Sequence, residues 1–110
     1  MILKLDEMEE KNLPNFQGGE GVFYAHMYVD DKIKILRGKL VQGASIGLHR
    51  HVPTSEVIFI ISGQGKAICD GKEELLIAGD CHYCPKGSEH TLRNEKTEDL
   101  LFYAVVPQQP

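Results

Sequence analysis

Short runs rich in Val, Ile, Phe and Tyr recur along the chain, and each is closed off by Gly, Pro, Asn or Asp. The breaks fall at Gly18-Gly19, Asp30-Asp31, Gly43, Pro53, Gly63, Asp70-Gly71, Gly79-Asp80, Pro85, Gly87 and Asn94. Strands of about four to nine residues punctuated in this way predict an all-β sandwich or barrel. Asp70-Gly71 suits the positive φ angles of a two-residue hairpin turn between Lys66-Cys69 and Glu73-Ile77. Val22-Val29 and Ile33-Leu40, joined at Asp30-Asp31, predict a second hairpin. Asp6-Asn12, with Pro14 close behind, has room for one short helix. The run Glu56-Val57-Ile58-Phe59-Ile60-Ile61 does not alternate, so both faces of that strand should be covered, one by the interior and the other by a second subunit or by the N-terminal segment.

Composition narrows the class of molecule. At 110 residues the chain has room for one ordinary domain, 1–110, and with 42% apolar and 25% charged residues it has the makings of one hydrophobic core. A net charge of -4, with no dense run of Lys or Arg, argues against nucleic acid as a partner. No apolar run is long enough to span a bilayer, and Met1 to Lys11 is too charged for a signal peptide, so the expected location is cytoplasmic. Cys69, Cys81 and Cys84 are too few for a disulfide-stapled scaffold and fit a reducing compartment.

The chemistry concentrates in two stretches. In the first, His49 follows Gly43 by six positions, His51 comes two later, Glu56 five after that, and Gly63 seven further on. Residues i and i+2 of a strand share a face, so His49 and His51 offer two imidazoles to one point while Arg50 faces away. Pro53 suits the bend that lets the next strand bring Glu56 beside them. Imidazole mixed with carboxylate suits one divalent transition-metal ion (Fe, Mn, Ni, Co or Zn) better than magnesium or calcium. The second stretch runs from Gly79 through Pro85, Gly87 and His90 to Asn94.

Together the two stretches fill every fixed position of the patterns G-x5-H-x-H-x3,4-E-x6-G and G-x5-P-x-G-x2-H-x3-N, and the chain resembles the cupin superfamily over 43–63 and 79–94. The resemblance implies a double-stranded β-helix, or jelly-roll, barrel whose interior holds the ion with His49, His51, Glu56 and His90. The fifteen residues between Gly63 and Gly79 leave room for one hairpin only, as in compact single-domain members. The motif glycines and Pro85 then set chain direction, and Asn94 closes a turn.

Cys81 and Cys84 resemble a C-x2-C pair, but residues three apart in an extended segment face opposite ways, so core packing is the expected role. Parity alone does not say whether His82 and Cys84 or Cys81 and Tyr83 point inward; the former pair is expected near the barrel mouth. His26, between Tyr24 and Tyr28, is expected as a partly exposed strand residue.

Four protein ligands on a six-coordinate ion leave two positions for substrate or water. The expected function is a metal-dependent enzyme of dioxygenase, decarboxylase or lyase type, acting on a small oxygen-rich or aromatic metabolite. Glu56 is the one candidate base, should it leave the metal. The alternative is a non-catalytic, metal-dependent module that binds or senses a small molecule. The absence of an Arg or Lys cluster disfavours sugar-phosphate chemistry, and a homodimer is the expected assembly.

Overall fold

The computed structural model describes residues 1–110. Ten strands follow one another: β1 (Lys11–Pro14), β2 (Val22–Val29), β3 (Ile33–Leu40), β4 (Ser45–Arg50), β5 (Glu56–Ser62), β6 (Gln64–Cys69), β7 (Lys72–Ile77), β8 (Cys81–Cys84), β9 (Glu89–Arg93) and β10 (Leu100–Pro107). Every pairing between them is antiparallel. They form a six-stranded sheet in the order β1-β2-β3-β10-β5-β8 and a four-stranded sheet in the order β4-β9-β6-β7. The two sheets close over one core, in the jelly-roll arrangement the sequence leads one to expect. No helix is long and apolar enough to cross a membrane.

Both expected hairpins form. Asp70 and Gly71 have φ of 50° and 81°, the left-handed pair that a tight β6–β7 turn demands. Between β2 and β3, the Asp30 carboxylate accepts the backbone N–H groups of Lys32 and Ile33 at 2.8 and 2.9 Å, so the turn is fixed by its own side chain. Gly43, Gly63, Gly79 and Gly87 all lie at positive φ. At Gly63 a Cβ would also fall 2.3 Å from the Asp99 carbonyl oxygen, so glycine is required there twice over. Asn94 is fully buried and ties the end of β9 into a turn: its amide donates to the Leu40 and Glu98 carbonyls at 2.8 Å, and its oxygen accepts from Lys96 N–H at 2.9 Å.

The short helix expected over Asp6-Asn12 shrinks to a single 3-10 turn, Leu5–Glu7. Lys11–Pro14 instead adds β1 to the edge of the large sheet, pairing with Val22–Ala25. Seven residues cannot propagate a helix alone, whereas an unpaired sheet edge offers partners to the backbone groups along one side of an added strand. The N-terminal segment is held over the outer faces of β2 and β3, where His26 meets the Met8 carbonyl at 2.8 Å and Arg37 pairs with Asp6 at 3.4 Å. His26 is partly exposed, as expected.

β5 alternates after all. Glu56, Ile58 and Ile60 point into the core, while Phe59 and Ile61 on its outer face stay 48% and 37% exposed. The N-terminal segment does not cover this strand: β1 pairs with β2, and residues 3–7 lie over β2 and β3 and reach Tyr103 of β10, leaving Phe59 and Ile61 exposed. Tyr83 of β8 and Tyr103 of β10 extend the same exposed apolar face.

Candidate metal centre

His49 lies near the end of β4 and His90 directly opposite it on β9. Gly47 sets the local path of β4. A Cβ there would fall 2.1 Å from the Gln17 carbonyl oxygen, so only glycine lets the Phe16–Gly18 turn pack this closely on the strand. The Gly47 carbonyl in turn accepts from Nδ1 of His49 at 2.8 Å. His51, one residue beyond the strand, is anchored by backbone hydrogen bonds to Ser88 and Gly87. Arg50 points outward to Glu89 at 3.3 Å and to the Gly87 carbonyl, as strand parity requires. The chain then bends at Pro53, and Glu56 opens β5, opposite Cys84 of β8.

One ligand atom from each of His49, His51, Glu56 and His90 lies within 4.8 Å of all the others. His51, Glu56 and His90 are buried, and His49 is nearly so. Nε2 of His90 is 3.0 Å from Nε2 of His51, 3.1 Å from Nε2 of His49 and 2.9 Å from Oε1 of Glu56, and His51 Nε2 is 3.0 Å from the same oxygen. The His49–Glu56 separation is longer, 3.8 Å. Neighbouring vertices of an octahedron with bonds of about 2.1 Å lie about 3.0 Å apart, whereas a tetrahedron of the same bond length has edges of about 3.4 Å.

The far side of each imidazole is also engaged. Nδ1 of His49 faces the Gly47 carbonyl, Nδ1 of His51 faces Thr54 Oγ1 at 2.8 Å, and Nδ1 of His90 faces Nε2 of His82 at 2.9 Å. A carbonyl only accepts, so His49 carries its proton on Nδ1 and turns the Nε2 lone pair inward. Imidazole lone pairs and a carboxylate aimed at one point repel one another unless a cation lies between them. The donor set fits a first-row transition ion, and the residues present can hold one.

Burial alone would raise the Glu56 carboxyl, but the imidazoles of His49, His51 and His90 outweigh it and hold the group well below its ordinary range. Burial lowers His90. It also opposes charge on His49, yet the Glu56 carboxylate and the Gly47 carbonyl carry that imidazole above its ordinary value.

On one side of the four side chains lies a cavity of about 70 Å³. Its walls are mostly apolar, with Phe23, Met27, Leu36, Ile46 and Phe102 among them, and its polar lining besides the cluster is Lys34 and Gln17. Cys84 and His82 do not line this cavity, contrary to their expected place near the mouth. Both are buried, while Cys81 and Tyr83 face outward. β8 is an edge strand at the opposite end of the large sheet from β1 and β2, so its inward residues back the cluster from behind. Burial and the neighbouring Cys69 thiol push Cys84 up to about 12, which suits an inert packing thiol and not a redox pair with Cys81.

Residues 36–106 match the cupin domain family, and the chain belongs to that family. It is 32% identical to the oxalate-binding protein of Thermotoga maritima, over 96% of this chain and 93% of that one. The crystal structure of a predicted oxalate decarboxylase from Thermotoga maritima superimposes with a TM-score of 0.91 at 28% identity, covering 98% of this chain and 99% of that one. A putative sugar phosphate isomerase from Acidithiobacillus ferrooxidans shares the fold alone, with a TM-score of 0.81 at 17% identity over 98% of this chain and 74% of that one.

Proposed function

We propose that the chain is one cupin domain that holds a divalent transition-metal ion with His49, His51, Glu56 and His90 and uses it to bind a very small dicarboxylate of the oxalate type. The observation that carries this reading is the convergence of four ligand atoms on one point, with His49, His51 and Glu56 lining a cavity of about 70 Å³. Sites for drug-sized molecules occupy about 300–1,000 Å³, so this cavity suits a ligand of a few heavy atoms, and a groove of about 210 Å³ adjoins it past His49, His51 and Lys34. The bound ion supplies a Lewis-acid centre with two free positions, enough for two oxygens of one ligand. Lys34 lines the same cavity, its charge is felt at His49, and none of the chain's Lys and Arg salt bridges engages it. A divalent ion, the Glu56 carboxylate and the Lys34 ammonium together carry two positive charges, the complement of a dicarboxylate. The likeness to an oxalate-binding protein supports the same ligand class.

A second reading, decarboxylation of oxalate to formate and carbon dioxide, breaks the carbon–carbon bond and needs a proton for the carbon left behind, which becomes formate. Lys34 is the one titratable group of the cavity wall outside the metal cluster, so it is the donor this reading requires. Isothermal titration of oxalate into Mn²⁺- or Co²⁺-loaded protein tests the first reading, and carbon-13 NMR of labelled oxalate tests the second. Lys34→Met should weaken oxalate about 10–100-fold, the range for a lost charged hydrogen bond, with metal affinity unchanged. Loaded protein that gives no heat with oxalate refutes the ligand assignment. Binding without formate leaves the chain a binding module.

The exposed apolar face formed by Phe59, Ile61, Tyr83 and Tyr103 supports a homodimer through the outer surface of the large sheet. Light scattering at micromolar concentration should give twice the mass of one chain, and Phe59→Glu should halve it. A parent protein of single-chain mass refutes the dimer.

A further inference from the structure

Behind the cluster, away from the cavity, His82 is wholly buried yet hydrogen-bonded at both ring nitrogens. Its Nε2 is 2.9 Å from Nδ1 of His90, and its Nδ1 is 2.7 Å from Oε1 of Glu74, whose side chain is 37% exposed. The His82 and His90 rings stack at 5.2 Å with 15° between their planes. Neither His82 nor Glu74 is a fixed position of the two sequence motifs.

We propose that Glu74 and His82 are positioning residues that fix the tautomer of His90 and so keep its Nε2 free to bind metal. At the outer end of the chain the direction follows from the Glu74 carboxylate. A carboxylate only accepts, so His82 must carry its proton on Nδ1 and present a bare Nε2. That bare nitrogen accepts from Nδ1–H of His90, which leaves the lone pair of His90 Nε2 facing the other three ligands. The Glu56 carboxylate, 2.9 Å from His90 Nε2, pulls the proton the other way, into the space an ion needs, and the Glu74–His82 pair is what opposes it. No backbone carbonyl performs this task for His90, whereas His49 has the Gly47 carbonyl and His51 the Thr54 hydroxyl. The relay also joins the two sheets at their edge strands, His82 on β8 and Glu74 on β7.

The inference rests on the metal reading above, but its first readout needs no metal. Long-range proton–nitrogen NMR of the ¹⁵N-labelled, metal-free full chain, at a pH where His90 is neutral, should show His90 protonated at Nδ1. Glu74→Met should mix or invert that tautomer while leaving His49 unchanged, and Glu74→Gln, which keeps an acceptor oxygen, should restore it. In competition titrations with Co²⁺, Glu74→Met and His82→Leu should bind about 10–100-fold more weakly than the parent, and Glu74→Gln within a few fold. A parent whose neutral His90 carries its proton on Nε2 overturns the proposal. So does a Glu74→Met protein that keeps the parent's tautomer and Co²⁺ affinity. Glu74 is partly exposed, so that test stands even if His82→Leu does not fold. A parent that binds no Co²⁺ refutes the metal reading instead, and the tautomer of His90 still decides this one.

Discussion

Replacing any two of His49, His51, Glu56 and His90 by alanine should abolish the binding of about one metal ion per chain. Each side chain contributes one inward ligand atom, and removing two leaves a pair too few to compete with water for a first-row ion. The substitutions also remove mutual repulsion between lone pairs, so the metal-free double variants should fold; elemental analysis of the folded protein is the measurement. Full stoichiometric metal in any such variant rejects the site. Acid should weaken binding to the parent as pH falls through about 6, because protons compete for the imidazoles. His49, held above its ordinary value, takes up its proton at higher pH than His90, which burial holds low, and so it opens the loss. The carboxyl of Glu56 lies too low to set that limit.

Chelation should lower the melting midpoint by on the order of ten to twenty degrees without unfolding the protein at room temperature. Metal at about a hundred times its dissociation constant stabilises the folded state by about 2.7 kcal/mol, because the unfolded chain scatters the four ligands. For a domain near this size each kcal/mol moves the midpoint by about 4–8 °C. The core does not depend on the ion: Phe23, Leu36, Leu40, Ile58, Leu92 and Phe102 are all buried by contacts among strands. Circular dichroism of stripped and loaded protein measures both quantities. Loss of the sheet signal on stripping would show that the ion holds the fold, and an unmoved midpoint would show that it contributes nothing.

The two hairpins and the His49, His51, Glu56, His90 set were legible in the sequence because each follows from a local rule. Asp-Gly turns and strand parity act over a few residues, and two motifs with fixed spacing place the rest. The partners behind the cluster follow no such rule. Parity divides His82 and Cys84 from Cys81 and Tyr83 but does not say which pair is inside, and Glu74 reaches His82 only because two edge strands from different sheets approach one another. The N-terminal strand was hidden for a related reason. Lys11–Pro14 has no apolar alternation of its own and becomes a strand only when β2 offers it an edge. The bare outer face of β5 was hidden because an unbroken apolar run looks the same whether a partner covers it or not.

The register of the cluster bears on the order of events in folding. His49 and His90 stand opposite each other across β4 and β9 although 41 positions separate them in the chain, and Glu56 comes from the other sheet. Pairings of such long range form late, after the hairpins of β2–β3 and β6–β7 have closed locally. An ion that needs all four groups finds no foothold in the early chain and cannot act as a seed for collapse. Its grip is therefore felt on the way out of the native state, so that loading should leave the refolding rate almost unchanged and lengthen the lifetime of the folded barrel.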